Sequence, residues 1–170
     1  MNNKLDSLQI NAKPLTKELF IKFGDVLETK GNTSFEINKG MCERFDKLSK
    51  VDFDIADGEV VLSIFRSKPY PLPFRLRLLE RHPLGSQSFM PLHSDPFLVI
   101  VAENFNNTPG EPKVFVTNGK QGVNFFKNTW HGVLTPIHNE CDFFVVDRSG
   151  PTQNLVEFHL DKTILISYQS

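Results

Sequence analysis

Along most of the chain, apolar positions either alternate with polar ones or gather into short runs bounded by turn residues. The segments "EVVLSIFRS" (59–67), "FRLRLLER" (74–81), "SQSFMPL" (86–92), "FLVIVAE" (97–103), "KVFVTN" (113–118), "GVNFF" (122–126), "CDFFVVDR" (141–148), "LVEFHL" (155–160) and "KTILIS" (162–167) all read as strands. Between them lie "PLPF", "HPLG", "HSDP", "NNTPGEP", "NGKQG" and "DRSGP", all rich in Gly, Pro, Asn and Asp. "TNGKQG" predicts a tight hairpin, with two glycines available for positive φ. One short helix is predicted near the start. Thr16 caps it, Glu18 sits in its first turn, Leu19, Phe20 and Phe23 share a face, and Gly24 stops it. Nothing later supports a long amphipathic helix, so βαβ units are not expected. The pattern predicts a mainly β chain, an antiparallel sandwich or barrel with a short N-terminal helix, forming one domain over residues 1–170. A barrel mouth is a natural small-molecule site.

"FLVIVAE" and "KVFVTN" are more apolar than a strand with one wet face requires. Either the fold covers both of their faces, or a second subunit covers one.

Charge and composition narrow the partners. The formal net charge is −1 with no basic run, which argues against nucleic acid and anionic membrane surfaces. Sixteen Phe against one Trp and two Tyr suit an aromatic interior better than a stacking platform for bases. "MNNKLDSLQI" lacks the apolar core of a signal peptide, and "FLVIVA" is too short to cross a bilayer. Cys42 and Cys141, with no CxxC, make neither a disulfide framework nor a thiolate zinc site. A reducing cytoplasm is the expected compartment, with a single disulfide as the alternative.

No P-loop, GxSxG, HExxH or GxGxxG occurs, so chemistry must come from polar residues scattered at strand ends. Arg66 ends "VLSIFR" and Arg148 ends "FFVVDR"; either guanidinium could grip a carboxylate with two parallel hydrogen bonds. Asp147 could orient Arg148 or simply pair with it. His131 follows the only Trp in "NFFKNTWHGVL", where partial burial would keep its imidazole neutral at pH 7. Its alternative role is structural, bonded to a backbone carbonyl. "ERHPLGSQ" places Glu80 and His82 at a turn, with Gln87 just beyond. No histidine spacing matches a zinc pattern, although His82, Gln87 and His131 could meet from two hairpins.

Taken in order, "LERHPLGSQSFMPL", "PFLVIVA", "TNGKQGVNFFKNTWHGVL" and "FFVVDR" resemble the ureidoglycolate lyase family, formerly called ureidoglycolate hydrolase. The likeness extends upstream to "GDVLE", "INKGMCERF" and "SIFRS" and runs nearly end to end. It implies a cupin-like β-barrel, usually a homodimer, that cleaves (S)-ureidoglycolate to glyoxylate and urea in allantoin and purine-nitrogen breakdown. It also implies a divalent metal, nickel being the one associated with the family, and no organic cofactor. The matching blocks carry over Glu80, His82 and His131 as catalytic, and Arg66, Gln87 and Arg148 as substrate-binding. Two positions depart from the pattern. Gly132 follows His131 where a second histidine often stands, and Leu84 occupies the second position of a cupin His-x-His.

The substrate would explain these residue types. Ureidoglycolate is a hemiaminal whose central carbon bears a hydroxyl, a carboxylate and a ureido nitrogen. Its cleavage needs a base for the hydroxyl proton, an acid for the departing nitrogen and a cation for the carboxylate. The arginines suit the last role; His131, Glu80 and His82 share the first two. "ERHPLGSQSFMPL" is then a barrel-mouth hairpin whose polar end faces substrate. Two other readings are a different cupin enzyme, such as a metal-dependent dioxygenase or sugar isomerase, and a non-catalytic barrel that binds a small carboxylate.

Overall fold

A computed structural model describes residues 8–54 and 56–169. The start of "MNNKLDSLQI", read above as carrying no signal peptide, lies outside them over residues 1–7. Two sheets dominate. The larger, of eight strands, runs in the order Gln9–Asn11, Val156–Ser167, Phe74–Arg81, Trp130–His131, Phe97–Ala102, Lys113–Val116 and Lys13–Pro14, with Thr135–Pro136 also pairing on Phe97–Ala102. The smaller, of five strands, runs Gly24–Leu27, Gly122–Phe125, Gln87–Pro91, Cys141–Ser149 and Glu59–Ser67.

The larger sheet curls on itself because one stretch of chain supplies both of its edges. Residues 9–11 pair in parallel with Leu165–Ser167, and residues 13–14 pair in parallel with Phe115–Val116. The result is a nearly closed, barrel-like sheet, antiparallel apart from these two short seams.

Curling explains the continuous apolar run "FLVIVA". Phe97, Val99 and Val101 pack against Phe89, Val123, Phe143 and Val145 of the smaller sheet. Leu98, Ile100 and Ala102 point the other way, into a second core with Leu76, Trp130, Ile164 and Ile166. All six residues of Phe97–Ala102 are buried. Both faces are therefore covered within the fold, the first of the two alternatives drawn from the sequence.

Several expectations are corrected. The helix is a single turn, Lys17–Phe20, capped as expected by Thr16, whose Oγ accepts from Leu19 N at 3.3 Å. Phe20 and Phe23 are buried, but Leu19 is 50% exposed and leaves the shared face. Gly24 opens a strand instead of stopping a helix; a Cβ there would run into the Asn124 carbonyl oxygen. "TNGKQG" is not a hairpin, because the strands that flank it lie in different sheets. The same holds for "ERHPLGSQ", which crosses from the larger sheet to the smaller. The last two predicted strands are one, Val156–Ser167, with a register shift between His159 and Ile164. A further hairpin, Ser34–Ile37 with Cys42–Phe45, was not anticipated. Its mixed, largely exposed residues carry no alternation to read.

Glu59–Ser67 ends the smaller sheet and leaves Val60, Leu62 and Ile64 exposed. Cys42 and Cys141 are both free, so the single-disulfide alternative is not realised. Among the described residues no helix is long and apolar enough to cross a membrane.

Candidate active site

Strand pairing brings Glu80 and His131 together. They are direct partners across adjacent strands of the larger sheet. Trp130 faces the core inside the curled sheet, so by alternation its neighbour His131 faces the space between the two sheets. There the imidazole stacks flat on Phe125 of the smaller sheet, with ring centres 4.5 Å apart, and is fully buried. His82 follows two residues after Glu80, where the chain crosses between sheets, and its ring lies 5.2 Å from that of His131. One ligand atom from each of Glu80, His82 and His131 falls within a 4.8 Å cluster.

Hydrogen bonds fix which ring atoms are free. His82 Nδ1 lies 2.7 Å from the Asn154 carbonyl, and His131 Nδ1 lies 3.1 Å from the Gly132 carbonyl. A carbonyl oxygen only accepts, so each Nδ1 carries a proton, and in a neutral ring the lone pair then lies on Nε2. Both Nε2 atoms are buried without a hydrogen-bond partner. Asn154 holds His82 firmly, since its side-chain oxygen also accepts from Leu84 N at 2.7 Å.

Burial sets the protonation states. It drives the His131 pKa down to about 3, with His82 adding to the fall and the Gly132 carbonyl opposing it. His131 is therefore neutral at pH 7, and its 3.9 Å approach to the Glu80 carboxylate is not an ion pair. Burial pushes the Glu80 carboxyl up; His82 pulls it down and Glu157 pushes it further up.

Two hollows flank the cluster. On the inner side Glu80 and His131, with Phe89, Phe97 and Phe125, line a void of about 20 Å³, room for one water-sized occupant. On the outer side His82, Gln87, Asp147, Arg148 and Asn154 line a cavity of about 290 Å³, a size suited to a small substrate. A wider hollow of about 450 Å³ beside Leu15 has no comparable free group at its wall. Its buried Gln121 amide is spent on the Leu15 carbonyl and Glu28.

Of the six residues singled out from sequence, five meet here. Glu80, His82 and His131 form the cluster; Gln87 and Arg148 line the outer cavity. Arg148 is clamped by its own chain. Nε donates to the Asp54 carbonyl at 2.6 Å, Nη2 donates to the Asp57 carboxylate, and Nη1 is buried without a partner. A Cβ on Gly58 would lie 2.5 Å from Arg148 Cζ, so only glycine leaves room for the guanidinium.

Arg66 is not brought to the cluster. It is exposed and spends both arms of its fork on Asp142, at 2.7 and 2.8 Å. The outer strand runs antiparallel to Cys141–Ser149, so Asp147 pairs with Val61 and Asp142 with Arg66. Five residues of strand, about 16 Å, thus separate Arg66 from the level of Asp147.

Asn154 was not singled out, and Asp147 only as a partner for Arg148, whose guanidinium is bound by Asp54 and Asp57 instead. The alternation held the signal for Asp147: Cys141, Phe143 and Val145 face inward, and Asp147 continues their row. Burial pushes its carboxyl up, while Gln87 and His82 pull it down. Asn154 lies in a loop with no periodicity to read.

Comparison with known proteins agrees with the geometry. The family model described as ureidoglycolate lyase matches residues 7–167. A ureidoglycolate lyase of Chelativorans sp. (strain BNC1) is 54% identical over 150 residues, covering 88% of this chain and 91% of the relative. One from Mesorhizobium japonicum is 46% identical over 151 residues, covering 89% and 93%. Ureidoglycolate lyase 1 of Rhizobium meliloti is 44% identical over 160 residues, covering 94% of each. With a match over nearly its whole length, the chain belongs to the ureidoglycolate lyase family.

Proposed function

We propose that the protein cleaves (S)-ureidoglycolate to glyoxylate and urea, as a carbon–nitrogen lyase of the amidine-lyase type in allantoin and purine-nitrogen breakdown. The observation that carries this reading is the convergence of Glu80, His82 and His131, with both Nε2 atoms buried and unpartnered, beside a cavity sized for a small molecule. The chain would act as one cupin-like domain over residues 1–170. Two free cysteines support a reducing cytoplasm. The exposed Val60, Leu62 and Ile64 of the outer strand support a homodimer, in which they would be covered.

A side chain can be assigned to each step. Arg148 Nη1, buried and unpaired, holds the substrate carboxylate. His131 Nε2 takes the hydroxyl proton, for which a neutral imidazole is required. As the carbonyl forms, the electrons of the breaking C–N bond pass to the ureido nitrogen. Glu80, whose burial favours the protonated acid, delivers a proton there and releases urea. His82, held through Nδ1 by the Asn154 carbonyl, lines the cavity beside them.

The same three groups fit a divalent cation. Two imidazole nitrogens, each with its other ring nitrogen bonded to a carbonyl, and one carboxylate are a common ligand set. His82, His131 and Glu80 would hold it, nickel being the ion the resemblance suggests, and it would supply Lewis-acid polarisation of a substrate oxygen. Activity that survives thorough chelation assigns the proton transfer to the side chains alone; loss restored by added nickel assigns them to the metal.

The roles are tested by Glu80→Gln, His82→Asn and His131→Asn, with turnover and melting temperature measured on the same samples. Each should keep its fold and lose at least ~100-fold in rate, the usual contribution of a positioned acid or base. A stable variant with full activity removes its residue from the mechanism.

A further inference from the structure

We propose that Gln87 and Asp147 form an acceptor pair that recognises the ureido end of the substrate and selects a ureide over a plain carboxylate. The inference rests on the lyase reading above. Gln87 opens the Gln87–Pro91 strand and is 7% exposed. Its Nε2 donates to Asp147 Oδ2 at 3.4 Å, which leaves Oε1 as the free end of the amide. Oε1 is buried with no partner. Asp147, half-buried one residue beyond the Val146–Ser88 rung, accepts no other side-chain hydrogen bond among the described residues. Both line the outer cavity together with His82.

A buried acceptor without a donor and a carboxylate engaged at one oxygen await N–H groups. A ureido group presents three N–H donors and one carbonyl. The carboxylate end of the same molecule presents only acceptors and would be repelled by Asp147. The cavity thus offers a donor, Arg148 Nη1, and separately two acceptors, which imposes one orientation on a substrate with one anionic and one donor-rich end. That orientation presents the carbon–nitrogen bond, between the two ends, to His82 and its neighbours.

Calorimetry with two stable probes tests this on the whole protein. Oxalurate carries a carboxylate and a ureido group but no hydroxyl to cleave; pyruvate is a monoanion like oxalurate and has a carboxylate but no N–H donor. Asp147→Asn replaces an acceptor with a donor, and Gln87→Met removes the amide at similar volume. Each should lower the ratio of oxalurate to pyruvate affinity by about tenfold or more, the value of a hydrogen bond to a charged or buried group. The ratio cancels the change in charge at Asp147. Melting temperature identifies a variant that does not fold, and the other then decides, because the two perturb opposite ends of one contact. An unchanged ratio in the folded variants overturns the proposal. Wild-type turnover separates the two readings: a ratio that shifts in a protein that makes no urea leaves the acceptor pair standing and removes the lyase.

Discussion

Replacing His131 with leucine should stabilise the metal-free protein in mild acid while abolishing turnover. In the folded chain burial holds this imidazole at a pKa of about 3, against 6.5 for a free one. Below pH 6.5 the unfolded chain takes up a proton that the folded chain refuses until about pH 3. Wild-type stability therefore falls as pH drops through that window, by about 1.4 kcal/mol per pH unit once well below 6.5. Between pH 6.5 and 5 this amounts to about 2 kcal/mol. Leucine binds no proton in either state, so the variant should gain about that much on wild type between pH 7 and pH 5. For a chain of this length the gap in melting temperature should widen by about 4–8 °C. At pH 7 two changes oppose each other: the Gly132 carbonyl loses its donor, and the orphaned Nε2 disappears. Glu80 has the opposite sign. Its raised carboxyl gives stability that is lost as pH rises through the folded value, but it is present in both proteins and cancels in the comparison. The assay is guanidinium chloride unfolding of both proteins at pH 7, 6 and 5 in the presence of a chelator. Parallel pH dependence in the two would refute the buried, neutral imidazole and with it the base assigned here.

The remaining expectations concern the clamp, the outer strand and assembly. Gly58→Ala should push the Arg148 guanidinium from its slot and cost about 10- to 100-fold in substrate affinity, as should Arg148→Lys, which lacks the planar fork; kinetics at varied substrate would expose an unaffected KM. Arg66→Ala should leave turnover within about twofold, given the five residues of strand between it and the level of Asp147; a larger loss would return Arg66 to the site from a second subunit. Leu62→Lys should shift the protein toward monomer in light scattering, and a dimer that survives it unchanged would place the interface elsewhere.

Local signals were legible in the sequence, whereas those that depend on the partner strand were not. The strands Glu59–Ser67 and Phe74–Arg81 have the bounds that alternation and the Pro-rich turn between them predict. Burial of His131 was readable from the Trp beside it. Sheet membership was not readable. "TNGKQG" and "ERHPLGSQ" have hairpin chemistry yet carry the chain between sheets, because turn residues specify a change of direction and not which strand receives it. The curl of the larger sheet depends on residues 9–14, too short and mixed to register as strands. The site was read by residue type, which favoured two arginines at strand ends. Phase along the strand would have distinguished inward Asp147 from Arg66, which turns out to Asp142.

The nitrogen product separates a lyase from a hydrolase of the ureido group. Purified protein is incubated with racemic ureidoglycolate, and glyoxylate, urea and ammonia are quantified in the same samples over time. Urea and glyoxylate should appear together in equal amounts, with consumption stopping at half of the racemate and no ammonia above the enzyme-free control. Ammonia as the primary product, released with carbon dioxide, would mean hydrolysis of the ureido group and would contradict the lyase.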